Sequence, residues 1–176
     1  VQSAGMKRWL SLQLARSLGI CANTRFVFPN HLLQEILEAQ FPGEFSEREL
    51  LTVDIMTWRL MPLLAELKRE GALAAPAAYL ADEDERKRYQ LAARLADTFD
   101  QYLIFRPQMV FDWESGRVGE DADEQWQAHL WRELTTAAGR SHRAAWRRTF
   151  LDAAQSGKLE AARLPERVSV FGISAL

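Results

Sequence analysis

Cysteine is almost missing. Cys21 stands alone in 176 residues, which excludes a disulfide framework and a thiolate metal centre and fits a reducing, cytoplasmic compartment. Charge of one sign is missing as well. The 22 Lys and Arg nearly balance the 24 Asp and Glu, for a net charge of −2. No global field draws the chain to nucleic acid or a membrane surface, so any nucleic-acid contact must come from a local patch. No apolar run approaches the length of a membrane span, and no internal repeat or low-complexity tract stands out. His31, His129 and His142 lack metal-ligand spacing, so neither a metal nor another cofactor is expected. Gly172-Ile173-Ser174 lacks the second glycine of a nucleophile elbow. No pair of carboxylates can be singled out for acid–base work.

What is present is an ordinary globular composition, 48% hydrophobic and 26% charged, in a length that supports one domain with a real core. Both ends read as cuts from a larger protein. Val1-Gln2-Ser3 resembles a strand exit, and "RVSVFGISAL" (Arg167 to Leu176) reads as a buried strand that stops where a helix should begin.

Between these ends the pattern is helical. Met6, Leu10, Leu14 and Leu18 repeat at i, i+4 before Gly19, which predicts a helix over 5–18. "RFVFP" is a short extended piece, and Asn30 is expected to cap a helix to about Gln40. Ser46 and Glu49 form a capping-box pair for a helix that continues to Glu70, with a kink expected at Pro62. Pro76 suits the first turn of a short helix. Asp82 and Glu85 are expected to cap a long helix over about 83–105, which the Arg106-Pro107 step ends. Further helices are predicted at 107–113, 123–138 and 141–155. The chain thus reads as about seven helices between two strand edges. The expected fold is mainly α on an α/β core, with 1–29 and 164–176 as core pieces, 30–163 as a large helical insertion, and a small parallel sheet edge joining the ends.

The opening strand–turn–helix invites comparison with a phosphate loop, but the residues do not fit. Gly5-Met6-Lys7-Arg8 has one glycine, and Arg8 stands where a hydroxyl should hold Mg²⁺. The closing "VSVFGIS" offers no carboxylate at a strand tip for that metal.

The long helix is more informative. At 100° per residue, Leu91, Leu95, Phe99, Tyr102 and Leu103 form an apolar face. Asp97, Asp100 and Gln101 lie on the opposite side. Grouped short acceptors suit base amines and repel phosphate. The alternative is a solvated face with Arg94 pairing Asp97 at i+3. Arg106 could clamp a phosphate or simply complement the helix dipole. "GRSHRAAWRRTF" holds Arg140, Arg143, Arg147 and Arg148 with Trp146, a pattern for single-stranded nucleic acid or for pairing with the acidic 112–124 region. Trp126 and Trp131 flank Leu130 and Leu134 and read as core.

Together, "VQSAGMKRWLSLQLARSLGICAN", "KRYQLAARLADTFDQYLIFRP", "WQAHLWREL", "HRAAW" and "VFGISAL" resemble the exonuclease V gamma chain (RecC) family over nearly the whole sequence, in the same order. The resemblance implies a superfamily 1 helicase-like framework that has lost its nucleotide site, in agreement with the two missing motifs. It implies a non-catalytic subunit of the RecBCD helicase–nuclease, beside RecB-like helicase–nuclease and RecD-like helicase chains, with no membrane. Its role there would be a channel for the 3′-ended single strand, scanned for the Chi recombination hotspot during double-strand-break repair.

On matching motifs, Gln2, Asp97, Asp100, Gln101, Arg106 and Arg143 are the expected DNA-contacting residues. Arg8, which stands where the family can carry Gln, joins them. Ala4, Phe28, Gln34 and Thr98 also depart from the family pattern, so the hotspot sequence does not carry over, and strand passage is the firmer expectation. Two rivals stand beside it: a helical scaffold that only binds other subunits, and an active helicase whose phosphate loop precedes Val1.

Overall fold

The computed structural model describes residues 3–45, 50–69, 74–82, 84–138 and 142–172. Eight α-helices are present among them. Most of them begin or end at a visible local cause. The Ser3 hydroxyl accepts the Met6 N–H at 3.1 Å, so α1 (Ala4–Leu18) starts beside it and stops at Gly19, whose φ is +81°. Helix α2 (Pro29–Gln40) opens one residue ahead of the expected Asn30 cap. Proline occupies its first position, where no N–H is needed.

Helix α3 (Val53–Arg69) starts after Thr52, whose hydroxyl accepts the Ile55 N–H at 3.4 Å, and carries Pro62 inside it. The Ser46–Glu49 capping box lies outside the described residues. A short α4 (Ala74–Tyr79) follows. Helix α5 (Glu85–Phe105) is capped by Asp84, which accepts the Arg86 N–H at 2.8 Å. The expected cap Asp82 instead pairs with Lys87; that ammonium holds the Asp82 carboxyl below its ordinary range, and Asp82 raises Lys87 in turn.

Pro107 opens α6 (Pro107–Glu114). Asp121 accepts the N–H groups of Asp123 and Glu124 at 2.8 and 2.9 Å to start α7 (Ala122–Ala138). His142 performs the same service for α8 (Arg143–Gln155): its Nδ1 accepts the Ala145 N–H at 3.2 Å. A 3₁₀ turn covers Ala161–Arg163.

The mainly α expectation holds. The sheet does not. No β-strand occurs among the described residues, and neither the parallel sheet edge nor a helicase-like α/β core is seen. The segment read as a buried strand leaves Val168 49% and Val170 68% exposed. A strand is defined by its ladder partners. Here the segment has helices beside it but no second strand to accept its backbone bonds.

The chain divides into two units, 1–45 with 153–176, and 46–152. In the first, the Gln40 side chain, only 8% exposed, clasps the backbone of Glu160, donating to its carbonyl at 3.0 Å and accepting its N–H at 2.8 Å. Trp9 stacks on Phe171 at 5.8 Å. A cleft of about 320 Å³ lies between α1 and the terminal segment, lined by Leu10, Leu14, Phe26, Leu32 and Val168.

In the second unit, α3 lies along α5, and α7 packs on both α3 and α6. Met56, Leu60 and Leu64 of α3 meet the Leu95, Phe99 and Leu103 face of α5, with Trp113 and Trp131 closing the core. Burying each such side chain contributes about 1.5–3 kcal/mol. Phe99 meets Trp131 edge-on at 5.3 Å, and Tyr102 meets Trp113 edge-on at 5.8 Å. Among the described residues no helix is long and apolar enough to cross a membrane.

Candidate nucleic-acid interface

Helix α5 carries most of the expected contact residues because its two faces differ so sharply. Ala92, Leu95, Ala96, Phe99 and Leu103 are buried. The opposite face is polar, and its groups are organised. Gln101 donates from Nε2 to Oδ2 of Asp97 at 3.0 Å, one turn back. Arg94 stands 3.9 Å from the same carboxylate oxygen. Asp97 therefore has the i+3 partner that a solvated face predicts, and it remains 49% exposed.

Asp100 is different. It lies on the flank of α5, 17% exposed, with Arg143 of α8 reaching it. The Arg143 Nη1 is 3.3 Å from Oδ1 and 3.5 Å from Oδ2, and only the second has hydrogen-bond geometry. Oδ1 is buried without a hydrogen bond, so attraction between opposite charges holds it. Asp100 and Arg143, named separately from sequence, are thus partners of each other.

Arg106 ends α5. Its backbone N–H bonds to Tyr102, and its exposed guanidinium lies 6.0 Å from the Tyr102 ring centre. Arg8 is exposed on α1, in the other unit. Gln2 lies outside the described residues, as does Arg140.

The basic stretch on α8 does not supply a stacking ring, since Trp146 is 5% exposed. Arg147 faces solvent. Arg148 lies over Phe111, 3.8 Å from its ring centre. Trp131 is fully buried and Trp126 packs partly against the same core. The periodicity of α7 places both there, beside Leu130 and Leu134.

Two features escaped the sequence reading. His142 is fully buried, donating through Nε2 to Oε1 of Glu114 at 2.8 Å while its Nδ1 caps α8. Metal spacing was the wrong signal for it; the position just before a helix was the right one. At the other end of α5, Ile104 and Phe105 are exposed, Phe105 by 77%. Continuing the helical wheel past Leu103 finds both. Elsewhere, Arg117 and then Gln108 hold the Asp112 carboxyl below its ordinary range.

A family profile described as "RecC, N-terminal domain" matches residues 1–176. RecBCD enzyme subunit RecC of Escherichia coli is 37% identical over the whole chain, which covers 16% of that protein. The subunit of the same name from Haemophilus influenzae is 32% identical, again over the whole chain and 18% of its own length. The Mycolicibacterium smegmatis subunit is 32% identical over 76% of the chain. The chain thus spans less than a fifth of the relatives it matches in full. No solved structure gives a significant match. On the profile and the first two relatives, the chain belongs to the RecC family and is its N-terminal part.

Proposed function

We propose that this chain is the N-terminal part of a DNA-handling subunit in an ATP-dependent helicase–nuclease that acts in double-strand-break repair and recombination. The subunit itself performs no catalysis. It forms a path for the 3′-ended single strand and reads bases in it, while RecB-like and RecD-like partner chains supply the motors and the nuclease. The complex works in the cytoplasm.

The observation that carries this reading is the outward face of α5. Asp97 and Gln101 present acceptors and an amide donor there, and an exposed Arg106 follows at the end of the helix. Such groups suit base edges and one phosphate. Family membership supplies the context. A superfamily 1 helicase-like framework without a nucleotide site belongs to the same proposal and rests on the family resemblance; Gly5-Met6-Lys7-Arg8 lacks the glycines and hydroxyl that would hold a nucleotide and its metal. The division into core pieces (1–29 and 164–176) and a helical insertion (30–163) belongs to the same proposal, supported by the stacking of Trp9 on Phe171.

The rival reading is a helical scaffold that only assembles partner subunits. It draws on the Arg143–Asp100 pair, which occupies one expected DNA cation internally. Single-strand binding by the assembled complex separates the two. Arg106→Ala is expected to weaken binding and to lower the salt dependence by about one unit of slope. Unchanged affinity and slope would favour the scaffold. ATP hydrolysis by the purified full-length chain alone would overturn the non-catalytic assignment.

A further inference from the structure

Phe105 is the most exposed large apolar side chain among the described residues, 77% open to solvent. Its position is not random. On the helical wheel Arg94, Asp97, Gln101, Ile104 and Phe105 fall within an arc of about 100°, centred opposite the buried face of α5. Gln101 and Phe105 are i, i+4 neighbours, one turn apart on the same stripe. The ring of Phe105 is therefore the end of the polar face already described, one turn from its amide.

The charge next to it suits an anionic ligand. Arg106 is exposed immediately after Phe105, while Arg94, 82% exposed, stands about three turns back on the same face beside Asp97. Against them stands one carboxylate on the same face, Asp97, since Asp100 on the flank is matched by Arg143. In the last turn of α5 the exposed large apolar side chains are Ile104 and Phe105, and Gln101 and Arg106, exposed polar residues, lie on either side of them in sequence. A docked protein surface is favoured by a broader apolar centre with charged groups pushed to its rim. A flat ring beside an amide and a cation instead matches a single nucleotide: π-face, base edge and phosphate.

We infer that Phe105 is a stacking platform for one base of single-stranded DNA, placed so that the Gln101 amide addresses the edge of that base and Arg106 its phosphate. The inference rests on the proposed function and adds to it a specific binding residue. It assigns the ring a contribution that differs in kind from that of its neighbours, because stacking does not release counterions.

That difference supplies the test. The full-length subunit, assembled with its partner chains, is titrated with a fluorescent single-stranded oligonucleotide at several salt concentrations. Phe105→Ala should weaken binding about 5- to 150-fold with the salt slope unchanged. Phe105→Trp should restore it. Arg106→Ala, by contrast, should weaken binding and lower the slope. If Phe105→Ala binds as well as the parent while Arg106→Ala does not, the platform is wrong and the proposed function stands. If neither substitution matters, the proposed function falls with it. If Phe105→Ala folds but fails to assemble with its partner subunits, Phe105 belongs to a protein interface and the inference is overturned.

Discussion

Arg143 at the start of α8 reaches Asp100 on α5, with Nη1 3.3 Å from Oδ1. The two partners are unequal. The carboxylate is 17% exposed and the guanidinium 32%, so water can replace the acid for Arg143 more easily than it can replace the base for Asp100. The pair joins the helix proposed to read bases to the helix that carries the basic stretch.

This inequality predicts an asymmetric double-mutant cycle. Arg143→Ala leaves a mostly buried carboxylate without its cation and should cost about 1–3 kcal/mol. Asp100→Ala frees a cation that water can reach and should cost under about 1 kcal/mol. The double variant should resemble Asp100→Ala rather than the sum of the two. Urea unfolding followed by tryptophan fluorescence measures all three. Additive losses would show that the two side chains do not interact.

His142 should behave as a cap and a buried partner at once. Its Nδ1 accepts the Ala145 N–H at 3.2 Å and its Nε2 meets Glu114 at 2.8 Å. His142→Ala removes both, and the cap alone is worth about 1 kcal/mol. His142→Asn can still accept the N–H, because asparagine is among the best cap residues. The asparagine variant is expected to melt between the parent and the alanine variant. Equal melting of the two variants would assign the whole effect to Glu114.

The α5 contrast explains what was readable from sequence. A 3.6-residue period with large apolar residues on one side exposed the Leu95, Phe99 and Leu103 face directly, because burial of one face is a local property of a helix. Gly19 was equally readable, because a positive φ favours glycine. Caps were less so. Asp82, Asp84 and Glu85 crowd one turn, and any of them could begin a helix; Lys87 decides the matter by engaging Asp82. Pairing between distant segments was not legible at all. Nothing in "DTFDQ" or "SHRAA" says that Asp100 and Arg143 meet, since that contact depends on how α5 and α8 pack. The strand expected over 168–173 is not formed by its described residues, 168–172, for the same reason. Its β-branched residues mark a segment able to join a sheet, and no local pattern supplies the neighbouring strand.

Asp112 predicts a loss of stability at low pH. Arg117 donates to its Oδ1 at 2.6 Å and Gln108 at 3.2 Å, and together they lower its pKa. A carboxyl that titrates lower when folded contributes stability above its unfolded pKa. That contribution is lost as the pH falls through the depressed folded value. The carboxyl resonance of Asp112 should therefore titrate below the ordinary range in an NMR series, and Arg117→Ala should move it upward. An unmoved midpoint would mean that Arg117 is not the cause. The bond is exposed, so its effect should also shrink with added salt.

Gly172 predicts a local loosening rather than a global loss. Its φ is +78°, and a Cβ built there would run into the thioether of Met6 on α1. Gly172→Ala therefore meets the left-handed backbone penalty, about 1–2 kcal/mol for a residue with a side chain, and makes the flexible end of Met6 swing aside. Both act where Phe171 stacks on Trp9, so the terminal segment should dock less firmly on α1. Arg167 is exposed and offers a tryptic site in that segment. Cleavage after Arg167 should quicken in Gly172→Ala. In a Met6→Ala background the same substitution should have much the same effect, because the thioether can swing aside and the backbone penalty remains. An unchanged cleavage rate in both backgrounds would show that Gly172 does not hold the segment against α1.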